Sequence, residues 1–314
     1  MNRQYDLIII GAGPAGLTAA IYAGRALLNT LLLERALPGG QLNETDCVEN
    51  FPGFEEQISG PQLMGQMKRQ AERFGAKIEI ADVTAISVEG ELLSVTSDSG
   101  TRFTRTIIVA TGTKPRELTA AGAAKFKGRG LSYCATCDGY FFREKRILEV
   151  GAGDAGLTEA LFLTKFVESV GIVVRHPQHA PNAFRAAPLL RRRAEENPKV
   201  HFLWNRVVTE ILGEARLKAA KLKDLATGEE ETIAIDGIFV NIGHIPATAF
   251  LRNILSLDEQ GYIITDNRLQ TNIPGIFAAG DVRSGVNRYA QAVVAASDGA
   301  ITAIEVEKYL ADRR

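Results

Sequence analysis

The sequence is poor in cysteine, in net charge and in long apolar runs, and each shortage excludes a class of protein. Three cysteines among 314 residues are too few for the disulfide framework of a secreted domain. Lys and Arg total 36 against 37 Asp and Glu, so no charge excess points to nucleic acid or an acidic membrane surface. The apolar run at residues 7–10 is too short for a signal peptide or a membrane span. We therefore expect a cytoplasmic protein that binds neither nucleic acid nor membrane.

A glycine-rich turn near the start predicts a dinucleotide site. An apolar strand at residues 6–10 runs into Gly11-Ala-Gly13-Pro14-Ala15-Gly16 and then into a helical stretch at residues 17–25. The first glycine permits a tight turn, the second lets the backbone approach a pyrophosphate, and the third allows close helix packing. A second strand, at residues 29–33, leads to Glu34, whose carboxylate is placed to accept ribose hydroxyls.

The same pattern recurs in the middle of the chain. A strand at residues 146–150 precedes the turn formed by Gly151, Gly153, Asp154, Ala155 and Gly156, and a helical run at 157–167 and a strand at 170–174 follow. This strand ends at Arg175, and an arginine at that position favours the 2′-phosphate of NADP. The alternative is a degenerate copy of the fold that binds nothing. Two copies in one chain predict two dinucleotide-type domains.

A third glycine turn lies near the end of the chain. Residues 274–279 read as a short strand that delivers Gly280 and Asp281 to a loop, and a helix is expected from about Gln291. An aspartate there can hold a cofactor hydroxyl, and the helix N-terminus can stabilise negative charge on a reduced flavin. The alternative is an ordinary turn.

Between the two dinucleotide turns lies a Cys-x-x-Cys pair, Cys134 and Cys137, followed by Asp138. No second Cys or His pair lies at zinc-finger spacing, so we expect no metal site. A disulfide of this spacing stays reducible when the second cysteine opens a helix, because the helix dipole lowers the thiol pKa. Asp138 is placed to move a proton to the departing thiolate. Cys47 has no partner, and we expect it to be a small buried residue.

With these motifs in this order, the chain resembles the low-molecular-weight thioredoxin reductases over essentially its whole length. The resemblance rests on Gly11 to Gly16, Gly39-Gly40-Gln41, Glu49-Asn50-Phe51-Pro52-Gly53, Ala110-Thr111-Gly112, Cys134 to Gly139, Ile242-Gly243-His244 and Gly280-Asp281. It implies an α/β fold of two Rossmann-like, three-layer ββα-type nucleotide-binding domains, the second inserted into the first. The FAD domain would comprise residues 1–116 and 245–314, and the inserted NADPH-domain-like fold, with the redox disulfide, residues 117–244.

The resemblance also implies a homodimer, a thioredoxin-like partner, and an inserted domain that rotates while FAD stays bound. The architecture favours Cys137 as the cysteine beside the flavin, although the sequence itself does not decide which of the two faces it. The implied FAD-binding residues are Gly11, Gly13, Pro14, Ala15, Gly16, Glu34, Gly40, Gln41, Asn50, Ala110, Thr111, Gly112, Gly280, Asp281, Ala290 and Gln291.

The chain departs from this family where NADPH would bind. The family follows its second nucleotide strand with His-Arg-Arg and a further Arg, which neutralise the 2′-phosphate. Here the stretch from Arg175 to Arg185 is longer, contains two prolines and lacks the adjacent arginine pair. Losing one or two bidentate contacts, each of about 1.5–3 kcal/mol, weakens NADPH by roughly tenfold to several hundredfold. At the start of the last helix, the family has Arg-Gln, whereas here Ala290 precedes Gln291 and Tyr289 stands just before them.

We therefore expect a flavin-dependent protein-disulfide oxidoreductase in which NADPH is not an efficient donor. Ferredoxin or a second flavin would take its place in a branch of the family that is independent of NADPH. Tyr289 would then stack on a flavin ring; the alternative is that it packs at the end of the helix. One alternative is a conventional reductase that binds NADPH, weakly or otherwise, through Arg175 and Arg185. Another is a non-catalytic flavoprotein that responds to redox state.

Overall fold

The computed structural model describes residues 4–45, 48–180, 183, 186–286 and 289–313. In chain order the strands are β1 Gln4–Ile10, β2 Thr30–Glu34, β3 Lys77–Ile80, β4 Val83–Glu89, β5 Leu92–Ser97, β6 Gly100–Val109, β7 Thr113–Pro115, β8 Leu131–Ser132, β9 Arg146–Val150, β10 Ser169–Val174, β11 Val200–Trp204, β12 Arg206–Gly213, β13 Leu217–Asp224, β14 Glu230–Ala234, β15 Gly237–Val240, β16 His244–Pro246 and β17 Ile276–Ala278. The helices are α1 Pro14–Arg25, α2 Gly60–Arg73, α3 Ala123–Phe126, α4 Ala135–Asp138, α5 Asp154–Leu163, α6 Pro188–Glu196 and α7 Ala292–Ala311.

Internal contacts group the chain into two compact units. The first unit contains residues 1–114 and 245–314, and the second contains residues 115–244. The predicted domain boundaries, after residues 116 and 244, lie within two residues of this division. Cys47, expected to be buried, lies outside the described residues.

The first unit is built on a parallel sheet in the order β3-β2-β1-β6, with β17 paired to the carboxyl-terminal part of β6. The first part of β6 instead pairs with β5 in an antiparallel meander with β4. Leu7, Ile8 and Ile9 in β1 are fully buried, as expected for a strand covered on both faces. Because these strands are parallel, the carboxyl ends of β1, β2, β6 and β17 meet at one edge, where doubly wound sheets bind ligands.

Helices α1 and α7 pack closely in the first unit. A Cβ atom added to Gly299 of α7 would lie 2.1 Å from the Ala15 carbonyl oxygen of α1. Glycine at position 299 therefore lets the backbones of the two helices approach, and α7 is held against the helix that follows the first glycine turn.

The second unit repeats the layered plan around a parallel sheet in the order β11-β10-β9-β15-β8. A separate antiparallel sheet, β12-β13-β14, packs its apolar side chains into one core together with residues of β9 and β15. Helices α5 and α6 contribute to the core on the other face of the parallel sheet. The predicted α/β class with two Rossmann-like folds is confirmed.

The predicted bounds of two helices were wrong. Helix α1 begins at Pro14 rather than residue 17, because proline is favoured in the first turn, where its missing N–H costs nothing. Helix α5 runs over Asp154–Leu163 rather than 157–167. Its end is set by a tighter turn, in which the Phe166 N–H donates to the Leu163 carbonyl. Among the described residues, no helix is long and apolar enough to cross a membrane.

Candidate functional site

The first glycine turn has the geometry of a phosphate cradle. Gly11 has φ +104°, and a Cβ there would lie 2.3 Å from the Ala110 carbonyl oxygen. A Cβ on Gly16 would lie 1.8 Å from the Gly11 carbonyl oxygen, so helix α1 can approach the strand only because residue 16 is glycine. A Cβ on Gly13 would meet nothing within 4 Å. The open face of the turn at Gly13 is therefore where a phosphate can approach the backbone.

Glu34 closes this turn from the neighbouring strand. It is the last residue of β2, and its Oε2 accepts a hydrogen bond of 2.7 Å from the Ala12 N–H. Its Oε1 accepts a longer bond of 3.3 Å from the Ala36 N–H. A carboxylate has about four acceptor positions, so Glu34 can fix the turn and still accept a ribose hydroxyl.

Asp281 brings a buried carboxylate to the same edge of the sheet. It lies in the single-turn 3₁₀ helix Gly280–Val282 that follows β17, and its Oδ1 is buried with no hydrogen-bond partner among the described protein groups. Burial, together with the nearby Asp298 carboxylate, raises the pKa of Asp281 to about 6. A buried acceptor without a donor is what a ligand hydroxyl would satisfy.

Asp298 itself is fully paired. Its carboxylate, on α7, accepts from Arg283 through two nitrogens, Nε to Oδ2 at 2.5 Å and Nη2 to Oδ1 at 3.0 Å. Oδ2 also accepts from the Gly280 N–H at 3.0 Å. This ion pair anchors the turn that carries Asp281 to α7.

The remaining residues predicted to bind FAD lie in loops of the first unit. Gly40 and Gln41 open a 3₁₀ turn, Gly40–Glu44, and Gln41 Nε2 donates to Thr113 Oγ1 at 2.8 Å. Gln291 is the N-cap residue of α7 as predicted, and its Oε1 accepts from Asn50 Nδ2 at 2.8 Å. The others fall in two segments: Ala110, Thr111 and Gly112 follow β6, and Ala290 is exposed before α7.

In the second unit, Cys134 and Cys137 form a disulfide with an S–S distance of 2.05 Å. The prediction that the second cysteine opens the helix was wrong. Cys134 is the N-cap residue of α4, its Sγ accepts from the Cys137 N–H at 3.1 Å, and Cys137 lies within the helical turn. The reason is the short spacing, since the bond can close only if the chain turns immediately after Cys134. Cys137 is exposed, whereas Cys134 is half-buried.

Asp138, the last residue of α4, is held by a residue that sequence reasoning missed. The hydroxyl of Ser132 lies 2.7 Å from Asp138 Oδ2. The same hydroxyl accepts from the Cys134 N–H at 3.1 Å. Ser132 therefore connects the backbone of one cysteine to the carboxylate predicted to transfer protons.

The second glycine turn repeats the geometry of the first. A Cβ on Gly151 would lie 2.1 Å from the Asn241 carbonyl oxygen, and one on Gly156 would lie 2.4 Å from the Gly151 carbonyl oxygen. A Cβ on Gly153 would meet nothing within 4 Å. Asp154 and Ala155 begin α5, and Asp154 Oδ1 accepts from the Ala187 N–H at 2.7 Å.

Under this turn lies a pair of carboxyl groups that the sequence analysis overlooked. Glu149, in β9, is completely buried, and its Oε1 accepts from Asn241 Nδ2 at 3.0 Å. The same Asn241 nitrogen donates to Glu159 Oε2 at 2.9 Å. Burial and the Glu159 carboxylate raise the pKa of Glu149 well above its usual range. An acid inside an otherwise apolar strand was the signal in the sequence.

The residues predicted for the second nucleotide site belong to both units. Arg175 follows β10 directly and is exposed. Tyr289 belongs to the first unit, where its side chain is 59% exposed, so it does not share a fold with Gly151 and Arg175. Arg185 lies outside the described residues.

The sequence of this chain is similar to that of known disulfide oxidoreductases. The family of pyridine nucleotide-disulphide oxidoreductases matches residues 5–299. A thioredoxin reductase from Listeria monocytogenes is 43% identical over 310 residues, which cover 98% of this chain and 95% of the relative.

Solved structures agree with this similarity. The crystal structure of thioredoxin reductase from Lactococcus lactis has a TM-score of 0.94 and 41% identity, and covers 98% of this chain and 99% of its own. That of T. acidophilum thioredoxin reductase has a TM-score of 0.92 and 35% identity, and covers 99% of this chain and 100% of its own.

Proposed function

Since the chain belongs to the thioredoxin reductases, which are FAD-dependent disulfide oxidoreductases, we propose that it passes electrons between FAD and a thioredoxin-like protein. The observation that carries the proposal is the Cys134–Cys137 disulfide in the first turn of α4, with Asp138 in the same turn. When bound, FAD supplies or accepts the electron pair.

The first unit fits FAD. The backbone at Gly13 is open to a phosphate, Glu34 stands at the end of the neighbouring strand, and Asp281 presents a buried acceptor. In the proposed enzyme, Gly13 and the N-terminus of α1 would hold the pyrophosphate, and Glu34 and Asp281 would accept hydroxyls of the cofactor. These residues bind and orient FAD and take no part in bond breaking.

The cysteine pair would perform the disulfide step. A thiolate of the reduced pair attacks one sulfur of the partner's disulfide, which breaks that bond and forms a mixed disulfide. The second cysteine then attacks the mixed disulfide, so that the Cys134–Cys137 bond re-forms and the partner leaves as a dithiol. Two electrons and two protons pass to the partner, and Asp138 moves the protons.

Replacing both cysteines with serine tests this step. The variant should keep FAD, because Cys134 and Cys137 lie in the second unit, and should lose all reduction of a thioredoxin disulfide. Flavin absorbance and insulin-coupled turnover, with dithionite-reduced flavin as the electron source, measure the two properties. Turnover by the double variant would refute the proposal.

We further propose that NADPH is not the efficient donor and that ferredoxin or a second flavin replaces it. Arg175 is exposed at the end of β10, and the chain then turns at Pro177, whose carbonyl accepts from the Ala180 N–H. Between residues 175 and 185 the sequence contains arginine only at its two ends. A single guanidinium at the strand end favours a 2′-phosphate less than an arginine cluster does.

Anaerobic stopped-flow mixing separates the donors. We expect that micromolar NADPH does not bleach the flavin. If ferredoxin is the donor, reduced ferredoxin should bleach it; if a second flavin is the donor, the purified protein should contain about two flavins per chain. Fast bleaching by NADPH would favour the conventional reductase, with Arg175 and Arg185 on the phosphate. Absence of thioredoxin turnover with every donor would favour the non-catalytic flavoprotein.

We also propose a cytoplasmic homodimer. On α7 three apolar side chains, Val293, Ile301 and Ile304, are each about 40% exposed, which supports a covered face in the assembly. Sedimentation equilibrium should give twice the mass of 34.0 kDa for the chain. Cell fractionation with antibody detection tests the location.

A further inference from the structure

The hydroxyl of Ser132 occupies a central position in the disulfide segment. Ser132 ends strand β8 and is only 5% exposed. Three polar atoms surround its Oγ: the Cys134 N–H at 3.1 Å, Asp138 Oδ2 at 2.7 Å and the Cys134 carbonyl oxygen at 3.2 Å. The first of these donates to the hydroxyl, and the other two can only accept from it.

A hydroxyl has one proton to give, so the two acceptors compete for it. The contact with the Asp138 carboxylate is the shorter, and hydrogen bonds to ionised acceptors are shorter and stronger than those to neutral carbonyls. The Ser132 proton is therefore assigned to Asp138. This bond fixes the position of the carboxylate.

We propose that Ser132 is a positioning residue that holds the Asp138 carboxylate for proton transfer at the Cys134–Cys137 disulfide, an inference that rests on the proposed function. Ser132 takes no electrons and forms no bond to sulfur. Because it is anchored by the backbone N–H of Cys134, the anchor is independent of whether the sulfur atoms are bonded.

The effect on the reaction follows from the proton balance. When a thiolate attacks the disulfide, the S–S bond breaks and the departing cysteine leaves as a thiolate, which must be protonated. Asp138 delivers that proton and recovers one from the incoming dithiol. A carboxylate released from Ser132 would still be present, but it would be less well placed for proton transfer.

A double-mutant cycle on the holoprotein tests the inference. Dithiothreitol serves as the reductant, and quenched thiol labelling follows reduction of Cys134–Cys137 between pH 5 and 9. The variants are Ser132→Ala, Asp138→Asn and both together, with Ser132→Thr to restore the hydroxyl. The control Ser169→Ala removes a half-buried serine from the same unit.

We expect Ser132→Ala to slow reduction by about three- to tenfold. In the Asp138→Asn background the same change should have no effect, and Ser132→Thr should restore the rate. Equal slowing in both backgrounds, or an unchanged rate in Ser132→Ala, would overturn the inference.

Two further outcomes distinguish a failure of the role of Ser132 from a folding defect and from a failure of the proposed function. If Ser132→Ala loses flavin or unfolds, Ser132→Gly provides a second variant without the hydroxyl, and it is judged by the same cycle. If dithiothreitol reduces the disulfide normally but thioredoxin is not reduced, the proposed function fails, while the mutant cycle with dithiothreitol still decides the role of Ser132.

Discussion

Replacing Asp281 with asparagine should separate the stability of the apoprotein from its affinity for FAD. The carboxylate is buried with an unsatisfied oxygen, and its pKa is raised from 3.8 to about 6 by burial and by Asp298. The shift of 6 − 3.8 = 2.2 units corresponds to about 3 kcal/mol at about 1.36 kcal/mol per unit. Asparagine has nearly the same shape and carries no charge.

The sign follows from the direction of the shift. Between pH 3.8 and about 6 the folded apoprotein binds this proton more tightly than the unfolded chain does. Asp281 therefore does not destabilise the wild-type apoprotein below about pH 3.8. As the pH rises above that value, ionisation of this buried carboxyl group lowers the free energy of unfolding. Asp281→Asn should be more stable than wild type by up to about 3 kcal/mol at pH 7, and equal to it near pH 3.

The same change should weaken FAD. Asparagine retains a carbonyl oxygen but loses the charge that strengthens a hydrogen bond from a hydroxyl. A loss of about 1.5–3 kcal/mol corresponds to roughly 10- to 150-fold weaker binding. The residue would thus stabilise the complex while destabilising the free protein.

Urea unfolding of flavin-free protein between pH 3 and 8 measures the first effect, and flavin fluorescence titration measures the second. Asp312→Asn, at an exposed aspartate after α7, is the matched control and should change neither. A stability difference between Asp281→Asn and wild type that does not vary with pH would refute the electrostatic reasoning. Unchanged FAD affinity would refute the placement of Asp281 at the cofactor.

Four further variants test the packing and the buried charges described above. Gly16→Ala puts a Cβ 1.8 Å from the Gly11 carbonyl and should cost about 1–3 kcal/mol or more in urea unfolding, whereas Gly13→Ala should leave stability unchanged and weaken FAD in fluorescence titration. Equal destabilisation by both changes would contradict this. The free energy of unfolding of Glu149→Gln should exceed that of wild type by an amount that grows with pH, by up to about 1.4 kcal/mol per pH unit, and that vanishes near pH 4. A difference that stays the same at every pH would argue against a raised pKa of Glu149. Arg283→Met leaves a buried carboxylate unpaired and should cost about 3–5 kcal/mol in urea unfolding, and a loss below 1 kcal/mol would show that the pair is not needed.

The parts of the fold that could be predicted from the sequence are those that depend on short stretches of neighbouring residues. The glycine turns, the strands before them and the Cys-x-x-Cys spacing each involve neighbouring residues, and each predicted element is present in the structure. Helix starts were less predictable, because Pro14 and Asp154 are compatible with either a loop or a first helical turn.

Long-range pairing explains what was missed. Glu149 and Asn241 are 92 residues apart in the chain and meet because β9 and β15 are neighbours in the sheet. Arg283 and Asp298 meet because α7 folds back over the turn after β17. No periodicity or motif records such partners.

The sequence alone predicted the two nucleotide folds and the cysteine pair, because these depend on backbone conformations that only short residue patterns permit. Only the tertiary structure showed that Asp281 is buried without a protein donor, that Asp298 is paired, and that Ser132 holds Asp138. Burial and hydrogen bonding depend on which side chains the fold brings together, and they determine the charge state and orientation on which the proposed chemistry depends.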